Sequence, residues 1–210
     1  MVVSMDYSIA VEANYASNGN KDNVLIVQGD VYHMPFQENF FDKLFCIGVL
    51  QHVPDVKKAF AQLPLFLKGG GRITVDFYRI FPFFHQILLT KFWVRPITRK
   101  FKPEVLYKLV HNYVSFMWPI CRFINKFIPY GRQINWMLLV ADYRGRYDLK
   151  DEILRDWAIL DSFDMLAPMY DSPQTLVSVR EFFKENNLTD SDIHYGYNGI
   201  EGRGIKDFNV

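Results

Sequence analysis

Two aspartates and a glycine recur at matching places in the first fifty residues. Asp6 closes the apolar run that begins at Met1, Asp30 follows Val24-Leu25-Ile26-Val27, and Gly48 follows Lys43-Leu44-Phe45-Cys46-Ile47. Acids at the carboxyl ends of successive parallel strands stand where an open α/β sheet takes its ligand, and a carboxylate there accepts hydrogen bonds from ribose-type hydroxyls. Taken alone, Asp6 reads equally as a loop acid capping the next helix. Its repetition at Asp30 favours the ligand reading. Tyr78, His85, Tyr143, Asp161 and Asp164 are further groups that could face a pocket, each with an ordinary structural reading beside it. Cys46 and Cys121 lie inside apolar segments with no metal-like spacing, so neither a metal site nor a disulfide framework is expected, and a reducing compartment is.

These residues need strands to carry them. Met1–Ser8 reads as a short buried strand, and Ser8 as the N-cap of a helix that Asn18-Gly19-Asn20 ends. Val24–Val27, an apolar run bounded by turn residues, reads as a strand buried on both faces. Pro35–Asp42 is a loop and Lys43–Ile47 the next strand. Pro54-Asp55 opens a helix through Val56, Ala59, Phe60, Leu63 and Leu67, with a kink expected at Pro64. Gly69-Gly70-Gly71 should end that helix, and Arg72–Tyr78 alternates like a strand. Asp171-Ser172-Pro173 reads as the start of a helix that stops at Asn186-Asn187, with closing strands at Ile193–Tyr197 and Gly199–Lys206. The rhythm is that of an α/β fold.

The chain's net charge of +1 hides a partition. Residues 1–78 carry 6 basic and 8 acidic side chains, residues 79–150 carry 13 and 3, and residues 151–210 carry 5 and 12. The middle block also holds 16 of the 35 aromatic residues, among them Phe83-Phe84, Phe92-Trp93, Phe116-Met117-Trp118 and Trp136. From Arg79 to about Pro168 the pattern is helical, and prolines 82, 96, 103, 119 and 129 should cut it into short pieces. No stretch reaches the ~18 uncharged apolar residues of a membrane span. The N-terminus does not read as a secretory signal, so a cytoplasmic location is expected. The block reads either as a packed helical cap with solvated cations or as a platform for an anionic or amphiphilic acceptor, including peripheral membrane contact through residues 79–150. Basic grooves with aromatics also bind single-stranded nucleic acid, but no RNA-binding signature is present and none is expected as a partner.

Five pieces occur in order and at consistent spacing: Val3-Ser4-Met5-Asp6-Tyr7-Ser8, Gln28-Gly29-Asp30, Phe41-Asp42, Gly48-Val49-Leu50-Gln51-His52-Val53-Pro54-Asp55 and Leu67-Lys68-Gly69-Gly70-Gly71. Together they resemble the class I S-adenosylmethionine-dependent methyltransferase family over residues 1–78, and the resemblance resumes at 171–206. It implies a Rossmann-like, doubly wound, mostly parallel sheet. Residues 1–78 would be a partial core, residues 79–170 a helical insertion forming an acceptor lid, and residues 171–210 the closing units. It implies S-adenosylmethionine as cofactor, with Asp6 at its ribose, Tyr7 next to it in contact with the cofactor, and Asp30 and Val31 at its adenine edge. Gly48 would lie at its methionine end, with Val49 and Leu50 on the methyl-transfer face. His52 stands where many relatives have His, and its packing reading ranks above a catalytic one.

The family's first strand and Gly-x-Gly turn have no counterpart here. That strand lies centrally in the family's sheet, so its two neighbours would lose their ladder partner, and unpaired buried backbone groups are costly. A fragment, or a start codon placed late, is the corresponding expectation. The function implied is methyl transfer to a small-molecule, saccharide or lipid acceptor. Two alternatives stand beside it: a non-catalytic remnant serving as an interaction module, and a nicotinamide-dependent oxidoreductase. The short-chain form of the latter needs Tyr-x-x-x-Lys, which no tyrosine here supplies.

Overall fold

The computed structural model describes residues 1–81, 89–197 and 199–208. Phe83, Phe84 and His85 lie outside the described residues. The chain forms two compact units, Met1–Ile80 with Tyr170–Val210, and Phe81–Met169.

The first unit is the α/β part. Strand β1 (Val2–Asp6) leads to helix α1 (Ala10–Asn18) and strand β2 (Val24–Gln28), which pairs parallel with β1. Strand β3 (Phe41–Cys46), helix α2 (Val56–Gln62) and strand β4 (Leu67–Phe77) follow, and β3 and β4 are also parallel. After the second unit, helix α7 (Leu176–Glu185) leads into the antiparallel closing strands β5 (Leu188–Tyr195) and β6 (Ile200–Lys206). The sheet is divided: β1 and β2 form one piece, and β3, β4, β6 and β5 form the other in that order. The division falls between β1 and β3, the two strands that the resemblance leaves without a common neighbour.

Local chemistry explains most of the boundaries. Asp55 caps α2 by accepting the Lys58 amide at 3.1 Å. α2 gives way at Leu63 to a 3-10 turn through Phe66, with Pro64 in its first positions, where a missing N–H costs nothing. Ser8 acts one residue earlier than a regular cap: its Oγ accepts the Ala10 amide, while Ile9 stands in the cap position.

Several expectations are corrected. The triple glycine lies inside β4 and not before it, because the strand bulges there: Phe41 faces Leu67 but Lys43 faces Arg72, and Gly70 takes a positive φ of 78°. The cap of α7 is Thr175, which exchanges bonds with Ser178, rather than Ser172. β1 and β2 are not buried. No residue of β1, α1 or β2 is buried, since α1 is the one helix among the described residues that lies against this pair. The main core instead gathers around Phe60, whose ring lies 5.2–6.2 Å from those of Phe77, Phe182 and Phe183.

The second unit is helical: α3 (Lys91–Thr98), α4 (Pro103–Phe127), α5 (Gly131–Met137) and α6 (Asp151–Leu166). Pro119 does not cut α4, which runs 25 residues. Pro119 is exposed, so the Ser115 carbonyl it leaves unpaired lies on a side open to water. Its core includes a buried ionic cluster. Asp142, fully buried, accepts from Asn125, Asn135 and Arg144, and the Arg144 guanidinium stacks 3.9 Å from the Trp118 ring.

Candidate functional site

The carboxyl ends of two parallel pairs, β1–β2 and β3–β4, carry the candidate residues. Asp6 ends β1, and its Oδ1 accepts both the Ser8 amide (2.7 Å) and the Ser8 hydroxyl (2.8 Å). Among the described residues no hydrogen bond uses its Oδ2. The helix-capping and ligand readings of Asp6 are therefore compatible, since each needs a different oxygen. Tyr7 is exposed, and its carbonyl accepts from the Gln28 side chain at 3.2 Å.

Asp30 stands just beyond β2. Its Oδ1 accepts the Tyr32 amide at 3.0 Å, and its Oδ2 lies 3.7 Å from His33 Nδ1. Val31, between them, packs against the core. The Tyr32 hydroxyl ties this segment to α2, donating to the Asp55 carbonyl and accepting the Asp55 amide, both at 2.9 Å.

Gly48 follows β3 with φ of 73°, a backbone state that side chains other than glycine rarely adopt. A Cβ built there would meet nothing within 4 Å, so the space above it is open. Its N–H donates to Asp76 Oδ1 at 2.6 Å. Asp76 lies near the carboxyl end of β4 and is buried. The sequence reading missed it as a site residue, although its signal was the one used for Asp6 and Asp30: an acid at the end of an apolar strand. Burial, then the nearby Asp76 carboxylate, pushes the Cys46 thiol up to about 12, so Cys46 stays neutral at any physiological pH.

The next residues divide between solvent and core. Val49 is exposed, at the head of a 3-10 turn formed by Leu50–His52. Leu50 does not line a transfer face; it is fully buried in the core, because the turn directs it toward α2 and β4. Gln51 is also fully buried, and neither polar atom of its side chain has a partner among the described residues. His52 packs edge-on against Tyr78 at 5.4 Å, and its Nδ1 lies 3.1 Å from the Tyr170 carbonyl. The packing reading of His52 thus has direct contacts behind it.

His52 also marks where the chain leaves and re-enters the first unit. The Gln174 amide donates to Tyr78 O at 2.7 Å, the Ile80 amide to Gln174 O at 3.0 Å, and the Ser172 amide to Gln51 O at 2.9 Å. The outgoing and returning segments are thereby zipped together beside the 3-10 turn. Tyr143 and Asp161 bond each other at 2.5 Å inside the second unit, and burial with this partner drives the Tyr143 hydroxyl well above its ordinary range. They are a structural pair. Among the described residues no group of His, Cys, Asp and Glu could hold a metal ion.

The family description "Methyltransferase domain" matches residues 1–75. A sterol 24-C-methyltransferase of Schizosaccharomyces pombe is 37% identical over 67 residues, 31% of this chain and 18% of that protein. A demethylmenaquinone methyltransferase of Thermobifida fusca is 32% identical over 77 residues, 35% of this chain and 33% of that protein. The chain thus matches a third or less of the length of these relatives. Among solved structures, a possible exported protein from Bordetella parapertussis superposes with a TM-score of 0.51 at 13% identity, over 98% of this chain and 53% of that one, a likeness of fold.

Proposed function

We propose that the chain is a class I S-adenosylmethionine-dependent methyltransferase, and that the carboxyl-end edge of its first unit holds the methyl donor for transfer to an organic acceptor. The observation that carries this reading is the open space at Gly48, whose N–H is held by buried Asp76, at the same strand-end position that Asp6 and Asp30 take on β1 and β2. A donor needs close backbone approach at one end and carboxylates at its sugar.

The residues fit that group. Asp6 Oδ2 accepts from ribose hydroxyls, while Oδ1 stays with Ser8 and fixes the carboxylate's orientation. Asp30 and the Val31 backbone meet the adenine amine edge, and Gly48 and Val49 meet the methionine end. When bound, the sulfonium supplies an electrophilic methyl group and loses its positive charge on transfer. The protein's task is then alignment and exclusion of water, and a general base is needed only where the acceptor must lose a proton. The acceptor class is a small molecule, a saccharide or a lipid; the relatives' names span a sterol and a quinone precursor, and the matched stretch is too short to choose between them.

Titration calorimetry with S-adenosylhomocysteine tests this reading. The 210-residue chain should bind weakly or undetectably, since β1 and β3 share no neighbour. A version carrying an apolar strand and a Gly-x-Gly turn ahead of Val2 should bind. Asp6→Ala in that version should weaken binding by about 1–3 kcal/mol, the value of hydrogen bonds to a charged group. Unchanged affinity would overturn the ribose assignment.

A further inference from the structure

Helix α4 has two apolar faces, and only one of them is used. Leu106, Val110, Val114, Trp118 and Cys121 are buried in the helical core. Val105, Leu109, Phe116, Ile120, Phe123 and Phe127 are 40–70% exposed. At about 100° per residue these six fall within a sector of about 60°, a stripe about 33 Å long. Soluble proteins rarely leave so continuous an apolar patch bare unless it meets something.

The remaining sector identifies what it meets. It carries Lys108, Arg122 and Lys126, with Glu104 as its one acid. Beside the helix's carboxyl-terminal half opens a cleft of about 460 Å³ lined by Arg122, Lys126, Arg132 and Arg144 and by no acid. Arg122 and Arg144 are paired with Asp151 and Asp142, whereas Lys126 and Arg132 have no carboxylate partner among the described residues. The stripe is therefore apolar along its length and cationic along its flank. A second copy docking on it symmetrically would bring two cationic flanks together. A bilayer bearing anionic headgroups satisfies both surfaces at once, taking the phenylalanines below the headgroups and the cations at their phosphates. Among the described residues no helix is long and apolar enough to cross a membrane, which leaves the in-plane arrangement.

We propose that α4 lies flat on anionic membranes through the Val105–Phe127 stripe, with Lys126 and Arg132 at the lipid phosphates. The proposal is independent of cofactor binding, and its test contains no cofactor. The full chain is co-sedimented with vesicles of phosphatidylcholine, with and without phosphatidylglycerol. Binding should require the anionic lipid and should fall as the Debye length shrinks from ~10 Å at 0.1 M salt to ~3 Å at 1 M. The double variant Phe116→Asp with Phe123→Asp should weaken it about tenfold or more, as the loss of two buried aromatic side chains demands. Circular dichroism should show both variants folded, since these positions are exposed. Should the double variant unfold, Lys126→Glu with Arg132→Glu carries the test, and it should abolish the preference for anionic over neutral vesicles. Absence of binding to either vesicle, or equal binding to both, overturns the proposal. So does a dimer in light scattering that Phe123→Asp dissociates, which would assign the stripe to a second copy.

Discussion

β1 and β2 pair in parallel register over five residues, much as β3 and β4 do, yet the two pieces differ in what surrounds them. The second piece has α2 and α7 packed against it and β6 on β4's far edge, and its apolar side chains disappear from solvent. The first has only α1, a helix with no buried residue, and each of its two strands keeps an open edge. Val24-Leu25-Ile26-Val27 is as apolar as Ile73–Val75, so composition does not separate them. Burial in a parallel sheet needs cover on both faces and a partner on both edges. Hydrogen-bonded pairing alone supplies neither.

The largest expected effect lies at the centre of the packed piece. Phe60→Ala should cost about 3–5 kcal/mol in denaturant unfolding, the range for a phenylalanine removed from a closed core. A loss well below that would mean that the second piece is as loose as the first. Asp76→Ala should cost about 1–3 kcal/mol, because it leaves the Gly48 N–H without its acceptor. Gly48→Ala should cost about 1–2 kcal/mol from left-handed backbone strain alone, since its new methyl meets no neighbour. A larger loss would show that the space above Gly48 is filled. At the small end, Leu25→Ala in β2 should change stability by about 0.5 kcal/mol or less, as at an exposed site. If it rivalled Phe60→Ala, the contrast between the two pieces would fail.

Acid should act on the packed piece through its helix cap. The Lys58 amide is the main cause holding the Asp55 carboxyl below its ordinary value of 3.8, and the Lys58 side chain adds to it. A depressed folded-state pKa gives stability that is present above the unfolded value and is lost as pH falls through the folded one. Asp55→Asn should therefore flatten the acid limb of the thermal melting profile below about pH 4 and leave the neutral plateau nearly unchanged. A plateau that drops while the acid limb stays steep would place the cap's role in geometry and not in charge.

Features encoded within a few residues were legible before the structure. The strands ending at Asp6, Asp30 and Gly48, the Asp55 cap, the break at Pro64 and the two closing strands all follow from local propensity and turn chemistry. The order of motifs pointed to a candidate site at the strands' carboxyl ends, and Asp76 follows the same rule unnoticed. Features that depend on distant partners were not legible. The glycines of β4 form a bulge because β3 lies beside them, and α4 continues through Pro119 because that side of it faces water. Leu50 is core because its 3-10 turn points it at α2 and β4. The incomplete burial of Val24–Val27 departs from what their composition implies. Propensity and capping act over one or two turns of chain and are written into the local sequence. Burial is a property of what other segments bring alongside, and that was decided only when the chain had folded.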